Sequence, residues 1–372
     1  MLWTALLFVR AIRENSRVGF AANRSLFGAL MKKLRVQVLM HKDLVPPETL
    51  EGHSEKEILE WRTEFDVLSA LRELGHEVEP LGVIDDLGPI RWALANKKPH
   101  VVFNLLEEFH SVAHYDQHVV SYLELMRQPY TGCNPRGLLL SHDKALSKKL
   151  LTFHRIPTPR FLEFPLGMAV KLPSRLPYPL LVKSAEEEAS LGISQASIVH
   201  NAEKLKDRVK FIHEHTSSTA LVEEYIEGRE FYVGVMGNHR LKTLPVWELL
   251  FTKASDDVPL IATRRVKWDA NYQKKLGVQT AAARDLSPTQ IAQLRQLAKR
   301  TYRVLNLSGY ARIDFRMSND GKFYVLEANP NPNLSSGEDF SESAAALGVK
   351  YPDLLDRIIS LGLRYRAAWK TV

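Results

Sequence analysis

Arg312 and Asp314 stand two residues apart in the run Gly309–Met317, and Glu327 and Asn329 stand two apart across the end of Lys322–Ala328. In an extended strand, residues two apart share a face. The link Ser318-Asn319-Asp320-Gly321 decides whether the two pairs meet. A two-residue turn at Asn319-Asp320 or Asp320-Gly321 sets Asp314 directly or diagonally opposite Glu327, whereas a three-residue turn puts them on opposite faces. Two carboxylates and an amide oxygen brought together suit a hard divalent cation such as Mg²⁺, and without a cation the carboxylates would repel. Arg312 would then lie within reach of any anion that the metal held. The alternative is a hairpin with one wet face. Asn329-Pro330-Asn331-Pro332-Asn333-Leu334 argues against it. Proline cannot donate to a ladder, so the strand stops there, and a rigid amide-rich loop follows the two acids.

Two lysines extend the pattern. Lys183 ends an apolar run and opens the loop Ser184–Gly192, where a cation and backbone N–H groups could meet phosphates. It is not a Walker A loop, and Glu186, Glu187 and Glu188 fit equally well on a solvated surface. Lys144 stands at a helix start, out of step with the helix dipole unless an anion binds nearby. His110, His114 and His118 could line one helical face, but no His-Glu-x-x-His pattern accompanies them. Cys133 has no local histidine, and no Gly-x-Ser-x-Gly occurs.

The elements that must position these residues are legible. Leu34–Met40, Val78–Val83 and Val101–Asn104 read as strands, with helices expected over Ser54–Leu74 and Leu87–Asn96. This alternation predicts a parallel sheet with helices on both faces. A second unit carries a helix from Lys144, strands at Leu180–Lys183, Ile193–Val199 and Ala220–Glu224, and a helix over Ala202–His215. A third carries a hairpin of Glu230–Met236 and Arg240–Pro245 about Gly237-Asn238, a helix opened by Ser287-Pro288-Thr289-Gln290, the acidic hairpin, and an amphipathic tail Tyr351–Tyr365.

The chain of 372 residues, 45% apolar and 25% charged, has a globular composition and no apolar run long enough to cross a bilayer as a helix. One cysteine excludes a disulfide framework, so a cytoplasmic setting is expected. Residues 1–33 hold four Arg, two Lys and one Glu, so +5 of the net +7 lies there and the remaining +2 argues against a nucleic-acid surface. That head reads as an extension ahead of Met31 or as an Arg-rich targeting peptide.

Together, Pro129-Tyr-Thr-Gly132, Lys144, Lys183 and its loop, Val222-Glu-Glu-Tyr-Ile-Glu-Gly-Arg-Glu230, Arg312-Ile-Asp314 and Leu326-Glu-Ala-Asn-Pro-Asn-Pro332 resemble the ATP-grasp superfamily. Within it the chain resembles the D-alanine–D-alanine ligases, from about Leu34 to Tyr365. The resemblance implies an α/β fold: a Rossmann-like domain over 34–135, then two α+β subdomains, 136–226 and 227–372, that sandwich ATP. It implies that Lys144 and Lys183 bind the α- and β-phosphates, with Ser190, in the loop after Lys183, also binding the nucleotide. Glu223, Glu224 and Ile226 would meet the adenine, Glu230 the ribose and Lys267 the γ-phosphate. Asp314, Glu327 and Asn329 would hold two Mg²⁺ or Mn²⁺ ions, and Arg312 would steady the carboxylate and its intermediates. Loops around Ser184–Gly192 and Arg264–Ala281 would close over the nucleotide. The implied activity joins a carboxylate to an amine through an acyl phosphate, with release of ADP and phosphate.

The amino-acid half departs from the family pattern. Where those ligases carry His-Gly-x-x-Gly-Glu-Asp-Gly, this chain reads Glu107-Glu-Phe-His110-Ser-Val-Ala-His-Tyr-Asp116. Ala189 replaces a serine, Trp268 a tyrosine and Asn333 a glycine beside the acyl site. Other substrates are therefore expected, such as an L-amino acid or a short peptide, with Glu107, Glu108, His110 and Asp116 as candidates for gripping an ammonium group. The competing reading is a non-catalytic nucleotide-binding scaffold on the same fold. Neither nucleic acid nor membrane is an expected partner, and the homodimer is the assembly common among relatives.

Overall fold

In the computed structural model the described residues are 33–171, 176–186, 194–253, 261–263, 265, 266 and 269–370. Strands β1 (Arg35–His41), β2 (Glu77–Val83) and β3 (Val101–Asn104) form a parallel sheet in the order β2-β1-β3. Central β1 is buried from Val36 to Met40, an apolar run interrupted only by Gln37, whose buried amide donates to Glu79 O. Ser54 makes the expected capping box with Glu57. The single helix expected after it is two, α1 (Glu55–Glu60) and α2 (Arg62–Glu73), because Trp61 leaves helical geometry (φ −123°, ψ 21°) and buries its ring against Phe65. Helices α3 (Gly88–Asn96), α4 (Asp116–Leu125) and α5 (Pro135–His142) complete this region.

Helix α6 (Lys144–Phe153), capped by Asp143, leads to a four-stranded sheet in the order β4-β7-β5-β6. Its strands are β4 (Phe161–Phe164), β5 (Leu180–Ser184), β6 (Ile198–Val199) and β7 (Ala220–Glu224), and α7 (Ala202–Thr216) covers it. The strand expected over Ile193–Val199 is only the two-residue β6, because Gln195–Ser197 coil into a 3₁₀ turn closed by reciprocal Ser194–Ser197 bonds.

The third sheet has five antiparallel strands in the order β10-β9-β8-β11-β12. These are β8 (Gly228–Met236), β9 (Lys242–Phe251), β10 (Val278–Ala282), β11 (Tyr310–Ser318) and β12 (Phe323–Pro330). Helix α8 (Ala270–Leu276) precedes β10, and α9 (Pro288–Val304) carries the expected Ser287–Gln290 capping box. Helices α10 (Asp339–Ala345) and α11 (Tyr351–Arg364) follow. The β8–β9 link is not a two-residue turn but spans 237–241. Tertiary bonds claim its residues: Gly237 N–H donates to Gly309 O, and the Asn238 amide bonds both Gly309 N and Leu361 O.

One apolar cluster joins Leu39, Val102 and Val120 to Phe231, Ile313 and Val325, so the first and third sheets share a core. The central sheet packs Phe164, Leu180, Val182, Leu205, Val209 and Val222 into a separate one. Among the described residues no helix is long and apolar enough to cross a membrane.

Candidate active site

The β11–β12 hairpin resolves the turn question in an unexpected way. Ser318 pairs with Lys322 (Ser318 N to Lys322 O, 2.9 Å), so three residues, 319–321, form the loop, with Gly321 at φ +81°. That turn alone would set Asp314 and Glu327 on opposite faces. A bulge corrects it: the register is Phe315 with Val325 but Asp314 with Glu327, so Leu326 is the extra residue. The two carboxylates therefore stand directly opposite, with Arg312 opposite Asn329 two residues on.

Arg312 binds Asp314 in a two-bond fork (Nε–Oδ1 2.8 Å, Nη2–Oδ2 2.9 Å) and reaches Asp339 Oδ2 through Nη1 at 3.2 Å. Its guanidinium lies over the Tyr232 ring, 4.5 Å from the centroid. Asn329 Nδ2 donates to Asp314 Oδ2 at 3.0 Å. Burial alone would lower the Arg312 pKa, but Asp314 and Asp339 hold it well above its ordinary value. The donor set fits a hard cation: Asp314, Glu327 and the Asn329 amide gather on one face, and Arg312 supplies positive charge to that face in this structure. No group of three or more His, Cys, Asp or Glu side chains placed to hold a metal occurs among the described residues, so Asn329 is needed as the third donor.

The same cleft takes in the lysine region. Lys183, Glu223, Glu224, Ile226, Glu230, Asp314 and Glu327 line one cavity together with Tyr225 and Arg316. Glu223 is buried between two lysines, with Oε1 2.7 Å from Lys183 Nζ and Oε2 2.8 Å from Lys148 Nζ. Burial would raise the Glu223 pKa, but the two lysines pull it below the ordinary carboxylate value. Burial likewise works against Lys183, yet Glu223, Glu327 and Glu230 hold its pKa above normal. Lys148 ends below normal, because burial outweighs what Glu223 restores. Glu230 is clasped by Arg316 (Nη1–Oε2 3.0 Å) and by the Tyr232 hydroxyl (2.9 Å). Arg316 also donates from Nε to the Ile226 carbonyl at 2.9 Å, fixing the turn that carries Ile226. Glu224 pairs with Arg160 at 3.1 Å. Lys144 opens α6, and its backbone N–H donates to Ala185 O at 3.1 Å, which ties that helix start to the Lys183 loop.

The residues expected to grip an ammonium group are scattered. Glu107 and His110 are exposed beyond β3, and Glu108 lies 3.8 Å from His41 Nε2. Asp116 faces inward, buried against His142 at 3.1 Å. The three spaced histidines do not share a helical face: His110 has φ +59°, His114 lies in a 3₁₀ turn with its ring on Glu186 O, and only His118 is in α4. Asn333 is exposed and accepts from Thr63 Oγ1 at 3.0 Å. Lys267, Trp268, Ser190 and Ala189 lie outside the described residues, as do residues 1–32.

Sequence reasoning missed Lys148, Arg316 and Glu64. Arg316 continues the Arg312, Asp314 alternation on β11, which was a usable signal. Glu64, in the first turn of α2, is 5% exposed. Its pKa is pushed up to about 7 by burial, with Glu107 adding to the effect and its own backbone N–H opposing it. An acid whose folded pKa exceeds its unfolded value gives stability that is full below the unfolded pKa and lost as pH rises through the folded one. Ionised Glu64 thus costs about 3 kcal/mol above pH 7. Glu64→Gln is expected to raise the unfolding free energy at pH 8 and change it little at pH 4, as urea melts at the two pH values would read. Equal effects at both would remove Glu64 as the source.

The family model for the C-terminal region of D-ala D-ala ligases matches residues 152–360. Uncharacterized protein y4sG of Sinorhizobium fredii is 31% identical over 305 residues, covering 80% of this chain and 86% of that one. The D-alanine–D-alanine ligase of Desulfotalea psychrophila is 32% identical over 262 residues, covering 68% of this chain and 76% of its own. In structure, the D-alanine–D-alanine ligase of Bacillus anthracis complexed with ATP superposes with a TM-score of 0.69 over 89% of this chain and 98% of that one, at 23% identity. With the family matched over more than half its length and the ATP-grasp fold shared, the chain belongs to the D-alanine–D-alanine ligase family.

Proposed function

We propose that the protein is an ATP-dependent ligase that joins a carboxylate to an amine through an acyl phosphate. The observation that carries this reading is the convergence, in one cleft, of the Lys183–Glu223 pair with the Asp314–Glu327 face and Arg312 beside it. The chain then divides into a basic extension (1–33), a Rossmann-like domain (34–135) and two ATP-grasp subdomains (136–226 and 227–372).

Lys144 and Lys183 orient the α- and β-phosphates, and Glu223, Glu224, Ile226 and Glu230 line the nucleoside end. Asp314, Glu327 and Asn329 would hold two Mg²⁺ or Mn²⁺ ions, which would supply positive charge against the phosphates. A carboxylate repels an amine and has no good leaving group. Transfer of the γ-phosphoryl group to a carboxylate oxygen breaks the bond to ADP and supplies one. The amine then attacks the carbonyl carbon, loses a proton, and phosphate departs. Arg312 steadies the oxyanion of the tetrahedral state. The changed residues around Glu107–Asp116 and at Asn333 support substrates other than a D-alanine pair, from the amino acids or small peptides. The site so read is that of a protein acting in the cytoplasm on small molecules.

The test is a screen of D- and L-amino-acid and small-peptide pairs with MgATP, reading ADP release and a new condensation mass. A pair-dependent rise is expected. ATP binding with no release above the blank for any pair would favour the scaffold reading instead.

A further inference from the structure

Lys148 has no part in the chemistry proposed above, yet it is 1% exposed. Its ammonium is held by Glu223 Oε2 at 2.8 Å and by Thr158 Oγ1 at 2.9 Å, and Thr158 in turn donates to Val325 O, two residues before Glu327. Lys183 holds the other oxygen of the same carboxylate at 2.7 Å. One buried carboxylate is thus shared by two buried lysines, one on α6 and one at the end of β5.

We infer that Lys148 is a positioning residue: it keeps Glu223 neutralised when Lys183 turns its ammonium from that carboxylate to a nucleotide phosphate. The inference rests on the reading of Lys183 as a phosphate ligand. The physical reason is asymmetric. Removing the sole partner of a buried charge is strongly unfavourable, whereas removing one of two partners leaves the charge compensated. Lys148 cannot follow Lys183 to the phosphate, because Thr158 and the β12 backbone anchor it. Without Lys148, Lys183 becomes the only counter-ion of Glu223 and is locked away from the nucleotide.

The experiment is calorimetric titration of MgATP into the full chain as wild type, Lys183→Met, Lys148→Met, Glu223→Gln and Lys148→Met/Glu223→Gln. Lys183→Met should weaken ATP binding. Lys148→Met should weaken it by on the order of tenfold, in the range of coupling between contacting charges. The double variant should bind as tightly as Glu223→Gln alone, since a neutral amide at position 223 no longer detains Lys183 and its own effect at the nucleoside end is common to both. Should Lys148→Met fail to fold, the comparison moves to Glu223→Gln against the double variant, where equal affinities are expected and a further loss overturns the inference. Wild-type affinity in Lys148→Met, or a double variant weaker than Glu223→Gln by the full Lys148→Met factor, also overturns it. Unchanged affinity in Lys183→Met would overturn the phosphate reading and this inference with it.

Discussion

Glu327→Gln and Asp314→Asn are each expected to cut ADP release by on the order of a thousandfold. The two should differ in stability. Glutamine at 327 leaves the Arg312–Asp314 fork intact, while it removes a charged oxygen donor for the cation and a negative charge that supports Lys183. Asparagine at 314 also presents an amide N–H₂ to a guanidinium that can only donate, so the fork loses one of its two bonds. Asp314→Asn should therefore melt at a lower temperature than Glu327→Gln. Raising Mg²⁺ should recover part of the Glu327→Gln rate. A wild-type rate in either variant would remove the metal assignment.

Arg312→Met has the second large effect, and it acts on folding as well as chemistry. Arg312 is shared by Asp314 and Asp339. Without it both carboxylates lose a buried cation, a change that costs about 3–5 kcal/mol. The rate should fall by roughly 10²–10³, the loss typical when one oxyanion donor is removed. Arg312→Lys keeps the charge but not the planar fork, so it should recover stability more than rate. Denaturant melts and ADP release on the same preparations separate the two. A methionine variant with full turnover would show that Arg312 stands outside the chemistry.

Alternation was enough to put Arg312 with Asp314 on one face of their strand and Glu327 with Asn329 on one face of theirs, because strand periodicity is local. Whether the pairs met was not legible. The three-residue turn and the Leu326 bulge each shift the register by one, and neither has a strong residue signature. Helix caps at Ser54 and Ser287 were local and legible, but the break at Trp61 depends on where a large ring finds room. Lys148 was overlooked because a lysine in a helix ordinarily points to water, and only the fold shows that its end meets Glu223. The placement of Asp116 was not legible either: it opens α4, which turns it inward to His142.

The separate packing of the central sheet has a mechanical consequence. Strands β8, β11 and β12 are joined to the first sheet by common apolar contacts, so those two regions form one body. The central sheet meets that body and helix α6, which packs on that body through Leu151, across a seam of one small apolar patch, Ala145 against Ala185 and Leu221, and of polar contacts: Lys148 to Glu223, Lys144 N–H to Ala185 O, and the His114 ring to Glu186 O. Water can replace such contacts far more cheaply than it can replace buried methyl groups, so the compliance of the molecule is concentrated along this seam. The molecule is therefore built as a jaw and a base rather than as three equal lobes.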